Sequence, residues 1–200
     1  MTVQFTLAHI SDPHLAPLPT PPLSALIGKR LMGYLSWRSK RRKVHRAEVL
    51  SALTRDLKSQ NPEHVVITGD LTNISLPAEF SAAARWLAEL GPAEDVTVIP
   101  GNHDAYVALD WSRTWQKWAD YMADDGEDGT KPPADFEDFP FLRVRGPVAL
   151  IGASSAQPSP PGFASGRLGI AAARPSWITM NSAAQAALYG LRTNSCLISG

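Results

Sequence analysis

The chain has 200 residues, of which 44% are hydrophobic and 19% charged, a composition typical of a soluble globular domain. Its 19 basic and 19 acidic residues cancel, so the overall charge favours neither nucleic acid nor an anionic membrane as a partner. The single cysteine, Cys196, excludes an intramolecular disulfide framework. No apolar run approaches the roughly 18 residues of a membrane-spanning helix, and the first residues lack signal-peptide features. We therefore expect a cytoplasmic protein.

Apolar periodicity predicts alternating strands and helices in the first half of the chain. In chain order, the predicted elements are a strand from Val3 to Ile10, a helix from about Val44 to Ser59, a strand from His64 to Thr68, a helix from Pro77 to Gly91-Pro92 and a strand from Asp95 to Pro100. Strand–helix–strand–helix–strand is the pattern of a parallel sheet with right-handed crossovers. The predicted fold class is therefore α/β.

The pattern changes after residue 105. Trp111, Trp115 and Trp118 recur at helical spacing, which favours a core helix over a substrate platform, although this helix must pass near the end of the third strand. Residues 124–138 are acidic and rich in Gly and Pro, which predicts an exposed loop. Two apolar runs joined at Gly146 predict a hairpin over residues 141–152.

Three polar blocks follow directly after the three predicted parallel strands. They are Asp12-Pro13-His14, Gly69-Asp70 and Gly101-Asn102-His103-Asp104. The carboxyl ends of parallel strands form the ligand crevice of an open α/β sheet. We therefore expect these blocks, distant in sequence, to meet in space.

The residue types in the blocks are those of a metal site. Asp12 and His14 offer an oxygen and a nitrogen to a single cation, a mixture that suits Fe, Mn, Zn or Co better than Ca or Mg. The two oxygens of Asp70 can bridge two cations, and Asn102 adds a neutral oxygen. His9 lies within the first strand and is expected to be a packed or solvent-facing residue rather than a ligand.

The remaining two residues of the third block predict proton transfer. His103 can protonate a leaving oxygen while Asp104 orients its ring. Two cations roughly 3.5–4 Å apart would hold a phosphoryl group and activate a water to hydroxide at neutral pH. The predicted reaction is the hydrolysis of a phosphoester through a metal-activated hydroxide.

The order D-x-H, G-D, G-N-H-D resembles the calcineurin-like metallophosphoesterase family. The surrounding residues 9–14 and 66–72 resemble its bacterial cyclic-nucleotide phosphodiesterase-like branch, and the resemblance runs from about Phe5 to Gly169. It implies a four-layer αββα sandwich and a binuclear metal site. By the family pattern, Asp12 and His14 hold the first metal and Asp70 bridges. Asn102 then binds the second metal, and His103 assists the leaving group.

The sequence departs from this family towards its end. The family completes its site with a later histidine and a G-H-x-H block, whereas no histidine follows His103 here. Residues 170–200 also lack acidic residues and strand–helix alternation. We therefore expect residues 1–169 to be the N-terminal portion of the family fold. Residues 170–200 would be an atypical tail, non-native or disordered, left by a truncation or frameshift near Gly169. The alternative is a genuine short variant; both predict a depleted site.

Residues 29–46 form a basic segment, which we call the basic flap. Its cations are Lys29, Arg30, Arg38, Lys40, Arg41, Arg42, Lys43 and Arg46. One interpretation is an exposed insert without a specific role. The other is an amphipathic flap that docks on anionic lipid or attracts a phosphorylated substrate.

Three functions remain open from the sequence. The first is a metal-dependent phosphoesterase acting on phosphodiesters or phosphomonoesters such as nucleotides. The second is a catalytically impaired fragment or pseudoenzyme that lacks the later histidine ligands. The third is a module that binds a membrane surface through the basic flap; the neutral overall charge argues against a nucleic-acid form of it.

Overall fold

The computed structural model describes residues 5–108, 110–126, 129–161, 163, 165–166 and 188–191. Its centre is a parallel sheet of three strands in the order β1-β2-β3. The strands are β1 (Leu7–Ser11), β2 (His64–Thr68) and β3 (Val96–Ile99). The predicted parallel sheet is therefore confirmed, while residues 3 and 4 of the predicted first strand lie outside the described residues.

Helices lie between and after these strands, and the first of them form most of the basic flap. They are α1 (Lys29–Ser36), a π-helical turn (Trp37–Arg41), α2 (Arg42–Val44), α3 (Ala47–Ser59) and α4 (Pro77–Leu90), with 3-10 helices at Leu23–Ala25, Trp111–Arg113 and Trp115–Met122. The predicted helix from Val44 begins only at Ala47, because His45 and Arg46 have extended backbones. In the part of the chain that the structure describes, no helix has the length and apolar character needed to cross a membrane.

The core lies between the parallel sheet and α4. Every residue of β2 is buried, as predicted for a strand covered on both faces. Phe80 and Leu87 of α4 are completely buried against the sheet. Trp115 and Trp118 are 1% exposed, which confirms that they are core residues. Their segment is a 3-10 helix rather than an α-helix, with a kink at Trp118.

A second sheet packs beside the first. It contains β6 (Phe141–Arg145) antiparallel to β7 (Val148–Gly152), as the predicted hairpin requires, and β8 (Leu188–Leu191) parallel to β7. The Arg143 guanidinium joins the sheets by donating to the carbonyl of Val96 at 2.7 Å. Of the tail predicted for residues 170–200, only β8 falls within the described residues.

The first part of the acidic segment at residues 124–138 differs from the exposed loop predicted for it, whereas residues 132–138 have no helix or strand and, apart from Pro133, are exposed as predicted. The segment begins with a two-stranded ribbon of β4 (Asp124–Gly126) and β5 (Gly129–Lys131). The Asp124 carboxylate accepts the backbone N–H of Leu142 at 2.8 Å, and Asp125 forms a 2.5 Å ion pair with Arg145. These carboxylates therefore hold the second sheet, a long-range pairing that local composition does not reveal.

The loss of folding stability at acid pH should depend on His64. Its side chain is fully buried, and burial, with the positive charge of Arg143, lowers its pKa from 6.5 to about 4. Between these pH values the unfolded chain binds a proton that the folded protein excludes, so stability falls as pH drops. The expected loss between pH 7 and pH 5 is about 2 kcal/mol.

Urea unfolding at several pH values checks this expectation. The variant His64→Gln should show a flatter decline in unfolding free energy between pH 6.5 and 4 than the parent protein. Val65→Ala, a core change without a titrating group, should lower stability but keep the parent slope. An unchanged slope in His64→Gln would contradict the account.

Candidate functional site

The first two polar blocks lie side by side beyond the end of the parallel sheet. The backbone N–H of Asp12 donates to the Thr68 carbonyl at 3.2 Å, and that of His14 donates to the Asp70 carbonyl at 2.9 Å. These bonds continue the pairing of β1 with β2 past the regular strands. The structure therefore places the two blocks together, as their positions at strand ends predict.

Three of the predicted site residues have unusual backbone conformations. The φ angles of Asp12, His14 and Asp70 are 51°, 39° and 49°, in the left-handed region that residues other than glycine seldom adopt. Each such residue costs on the order of 1 kcal/mol, and such residues concentrate at functional sites. The strained positions therefore favour a functional site at this end of the sheet.

His14, Asp70 and His103 form a cluster with the donor set of a metal site. One potential ligand atom from each of them lies within 4.8 Å of the others. The Nε2 atom of His14 is 3.7 Å from a carboxylate oxygen of Asp70. The other ring nitrogen, Nδ1, lies 3.1 Å from the Thr72 carbonyl, which requires Nδ1–H as donor. The lone pair of Nε2 is therefore available to a cation beside Asp70.

A small cavity also adjoins Asp70. Asp12, Asp70 and Asn102 line it, and its volume of about 10 Å³ matches a single water molecule or ion. Asp70 is therefore common to this cavity and to the cluster with the two histidines. A carboxylate shared by two adjacent sites is the arrangement that a bridging ligand requires.

The close approach of the third block holds the Asp70 carboxylate in place. One Asp70 oxygen accepts the backbone N–H of His103 at 2.7 Å. A Cβ atom at Gly101 would lie 2.5 Å from the Asp70 backbone nitrogen, so only glycine fits there. Burial, followed by the negative charge of Asp104, raises the pKa of Asp70. A bound cation would reverse this rise by stabilising the ionised carboxylate.

Asp104 is completely buried and joins two loops. Its carboxylate accepts backbone N–H groups from Leu71 at 3.2 Å, Thr72 at 2.8 Å and Gly101 at 2.9 Å. The His103 ring instead contacts the Asn73 carbonyl, 2.5 Å from its Nδ1 atom. The contacts of Asp104 indicate a role in positioning the loops, and its predicted role in orienting His103 stays a prediction.

The basic flap contributes residues that the motifs did not reveal. The His45 ring lies 4.4 Å from the His14 ring, and Arg41 donates to Nε2 of His103 at 3.0 Å. Outside the flap, Tyr106 stacks on His103 with ring centroids 5.3 Å apart. The one signal in the sequence was the basic run itself, together with the lack of any acidic residue between Asp12 and Glu48.

The three blocks belong to a longer match with a known family. The model of the calcineurin-like phosphoesterases matches residues 5–154 and includes all six predicted site residues. The chain belongs to the calcineurin-like phosphoesterase family. This confirms the predicted family and its α/β sandwich fold, and a hydrolase family that uses metal ions agrees with the donor set around Asp70. Among curated proteins, a comparison finds no match.

Replacing Gly101 should disturb the site of this phosphoesterase. In Gly101→Ala the added methyl group meets the backbone of Asp70, and we expect a loss of about 2 kcal/mol in unfolding free energy from overpacking. Calorimetric titration should also show Mn²⁺ affinity reduced by about tenfold or more, equivalent to about 1.4 kcal/mol. In the control Gly91→Ala, the nearest atom is a Val96 methyl at 3.3 Å, so both quantities should stay close to parent. Parent-like stability and affinity in Gly101→Ala would refute the contact.

Proposed function

We propose that this chain hydrolyses phosphodiesters or phosphomonoesters, nucleotides among them, at a metal centre organised by Asp70. The observation that carries the proposal is that Asp70 belongs both to the cluster with His14 and His103 and to the lining of the small cavity with Asp12 and Asn102. Membership of the calcineurin-like phosphoesterase family supports the reaction class. The cyclic-nucleotide branch remains part of the proposal.

The proposed metal ligands are Asp12, His14, Asp70 and Asn102. Nitrogen and oxygen donors together suit two ions such as Fe, Mn, Zn or Co. When bound, such ions stabilise charge on the phosphoryl oxygens and lower the pKa of a nearby water. His45 lies against His14 and is positioned to bring a further imidazole to this centre.

His103 is the proposed residue for proton transfer to the leaving oxygen. Burial, followed by the charge of Arg41, lowers its pKa to about 4, so the ring is neutral at pH 7 and Nε2 accepts from Arg41. A phosphoester beside the ring would favour its protonated form, because an adjacent negative charge stabilises a cation. That form donates the proton that the leaving oxygen requires.

The alternative is an impaired member of the family that holds a metal weakly and does not turn over. The lack of histidine within residues 104–200 favours this alternative for the 200-residue chain, because the family pattern takes further imidazole ligands from later strands. The two functions make the same predictions for the fold. They differ in the number of ions bound and in turnover.

Hydrolysis of bis(p-nitrophenyl) phosphate after Mn²⁺ loading separates the two. We expect turnover with two bound ions per chain, and a loss of at least about 100-fold in kcat/KM for Asp70→Asn, equivalent to about 2.7 kcal/mol. Asp56→Asn, at an exposed position of α3, should retain parent activity. At most one weakly bound ion and no turnover with Mn, Fe, Zn or Co would contradict the enzyme and support the impaired form.

We also propose that the outer face of the basic flap docks on an anionic membrane surface. Arg38, Lys40, Arg42 and Lys43 are exposed. Large apolar side chains are exposed beside them, namely Leu31, Leu35 and Val44, with exposed fractions of 43–72%. Cations attract anionic headgroups at about 1 kcal/mol each near the surface, and apolar side chains insert at the headgroup boundary. Exposed cations and exposed apolar side chains therefore occur on one segment. A solvated insert without a binding role would not require the exposed apolar side chains.

Vesicle sedimentation tests the docking face. We expect binding to vesicles with about 30% phosphatidylserine, weakening as salt rises from about 0.1 M to about 0.5 M because the charges are screened. Leu35→Glu should reduce binding by about tenfold through lost apolar insertion. Val144→Glu, at a similarly exposed position of β6, should bind like the parent. Equal binding of both variants, or none at low salt, would contradict the proposal.

A further inference from the structure

A cleft of about 320 Å³ opens beside His103, on the side towards the basic flap. Its walls include Lys29, Met32, Arg41, Asn102, Tyr106 and Phe163. Asn102 and His103 also belong to the candidate metal site, so the cleft is continuous with that site. The residues from the flap are not explained by metal binding.

Among the described residues that line the cleft, two are cationic and none is acidic. Lys29 donates to the carbonyl and hydroxyl oxygens of Ser159, at 2.9 and 3.0 Å, and its Nζ lies 4.3 Å from the Tyr106 ring centroid. Arg41 donates to the His103 ring. Among the described residues, neither cation is within 4.0 Å of a carboxylate oxygen. Two half-buried cations with neutral partners only leave a positive potential that an anion would offset.

Each of the two cations contacts one ring of a stacked pair. Lys29 contacts Tyr106, Tyr106 stacks on His103, and the Arg41 guanidinium lies 3.3 and 3.0 Å from the two ring nitrogens of His103. The His103 ring centroid is in turn 4.9 Å from that of His14. An anion held by the two cations would therefore lie next to the centre at which a phosphoryl group reacts.

Packing contacts hold the inner face of the flap against the phosphoesterase core. Arg30 donates to the carbonyls of Ile74 and Ser75, at 3.2 and 2.6 Å. Gly33 brings α1 so close that a Cβ there would lie 2.7 Å from Ile74 and from the Tyr106 hydroxyl. The cations are thus positioned before a ligand arrives, which lowers the entropic cost of binding.

From these contacts we infer that the cleft is a subsite for a second anionic group of the substrate. The substrate class is an organic diphosphate. Water attacks the phosphorus nearest the candidate metal site, the P–O–P bond breaks, and the bridging oxygen takes up a proton and leaves with the phosphate that Lys29 and Arg41 hold. Met32 and Phe163 are exposed at the same cleft and give an apolar or aromatic substituent a surface to contact. This inference rests on the proposed function and specifies its substrate. A singly charged phosphodiester would leave the two cations without an anionic partner.

Binding to the metal-free 200-residue chain tests the subsite separately from catalysis. The probe is methylenediphosphonate, titrated calorimetrically after chelator dialysis. We expect measurable binding that weakens by about tenfold or more in Lys29→Gln and in Arg41→Gln, since each removes a charged hydrogen-bond donor. Arg55→Gln, an exposed position on α3, should bind like the parent. No binding by the parent, or equal affinity in all four proteins, would overturn the inference.

A kinetic comparison with the Mn²⁺-loaded protein tests the substrate class. Lys29→Gln should raise KM for a diaryl diphosphate by about tenfold with little change in kcat, a larger effect than on KM for bis(p-nitrophenyl) phosphate, whereas Arg55→Gln should leave the hydrolysis of both near parent values. Equal effects on both substrates would overturn the subsite. If the parent hydrolyses neither compound, the proposed function is contradicted. The metal-free titration still decides whether the cleft binds a diphosphate.

Discussion

The buried carboxylate of Asp104 is the interaction on which the arrangement of the site depends. By accepting three backbone N–H groups, it ties the loop after β3 to the loop after β2. Glu79 does the same for the next turn, where its carboxylate accepts the N–H groups of Asn73 at 2.6 Å and Leu76 at 2.9 Å. Backbone groups in buried loops must find such partners. Two acidic side chains thereby fix the loops that carry Asp70 and the carbonyl that contacts His103.

The basic flap has two distinct faces, which differ in the burial of their cations. Its half-buried cations, Lys29, Arg30 and Arg41, turn towards the core and the cleft, whereas Arg38, Lys40, Arg42 and Lys43 remain exposed. One segment can therefore serve a small anionic substrate on its inner side and an anionic surface on its outer side. The sequence interpretation offered these as alternatives, but the burial of individual side chains makes them compatible.

The sequence was sufficient where local patterns carry the information. Apolar runs predicted the three parallel strands, and their ends placed Asp12, Asp70 and Asn102 together, because parallel strands share one edge. It was insufficient for contacts set by tertiary packing. The start of the acidic segment at residues 124–138 is a ribbon, in which Asp124 and Asp125 bond to β6. Arg41 and His45 reach the site only through the fold of the flap. No spacing rule encodes those contacts.

The central claim is that Asp70 joins two ion positions at one end of the parallel sheet. Anomalous diffraction from crystals grown with Mn²⁺ tests it most directly, because the ions are located without reference to activity. The account predicts density in contact with Asp70 on two sides, one towards His14 and the other towards Asp12 and Asn102. Ions located away from Asp70, or a single ion that does not contact it, would contradict the account.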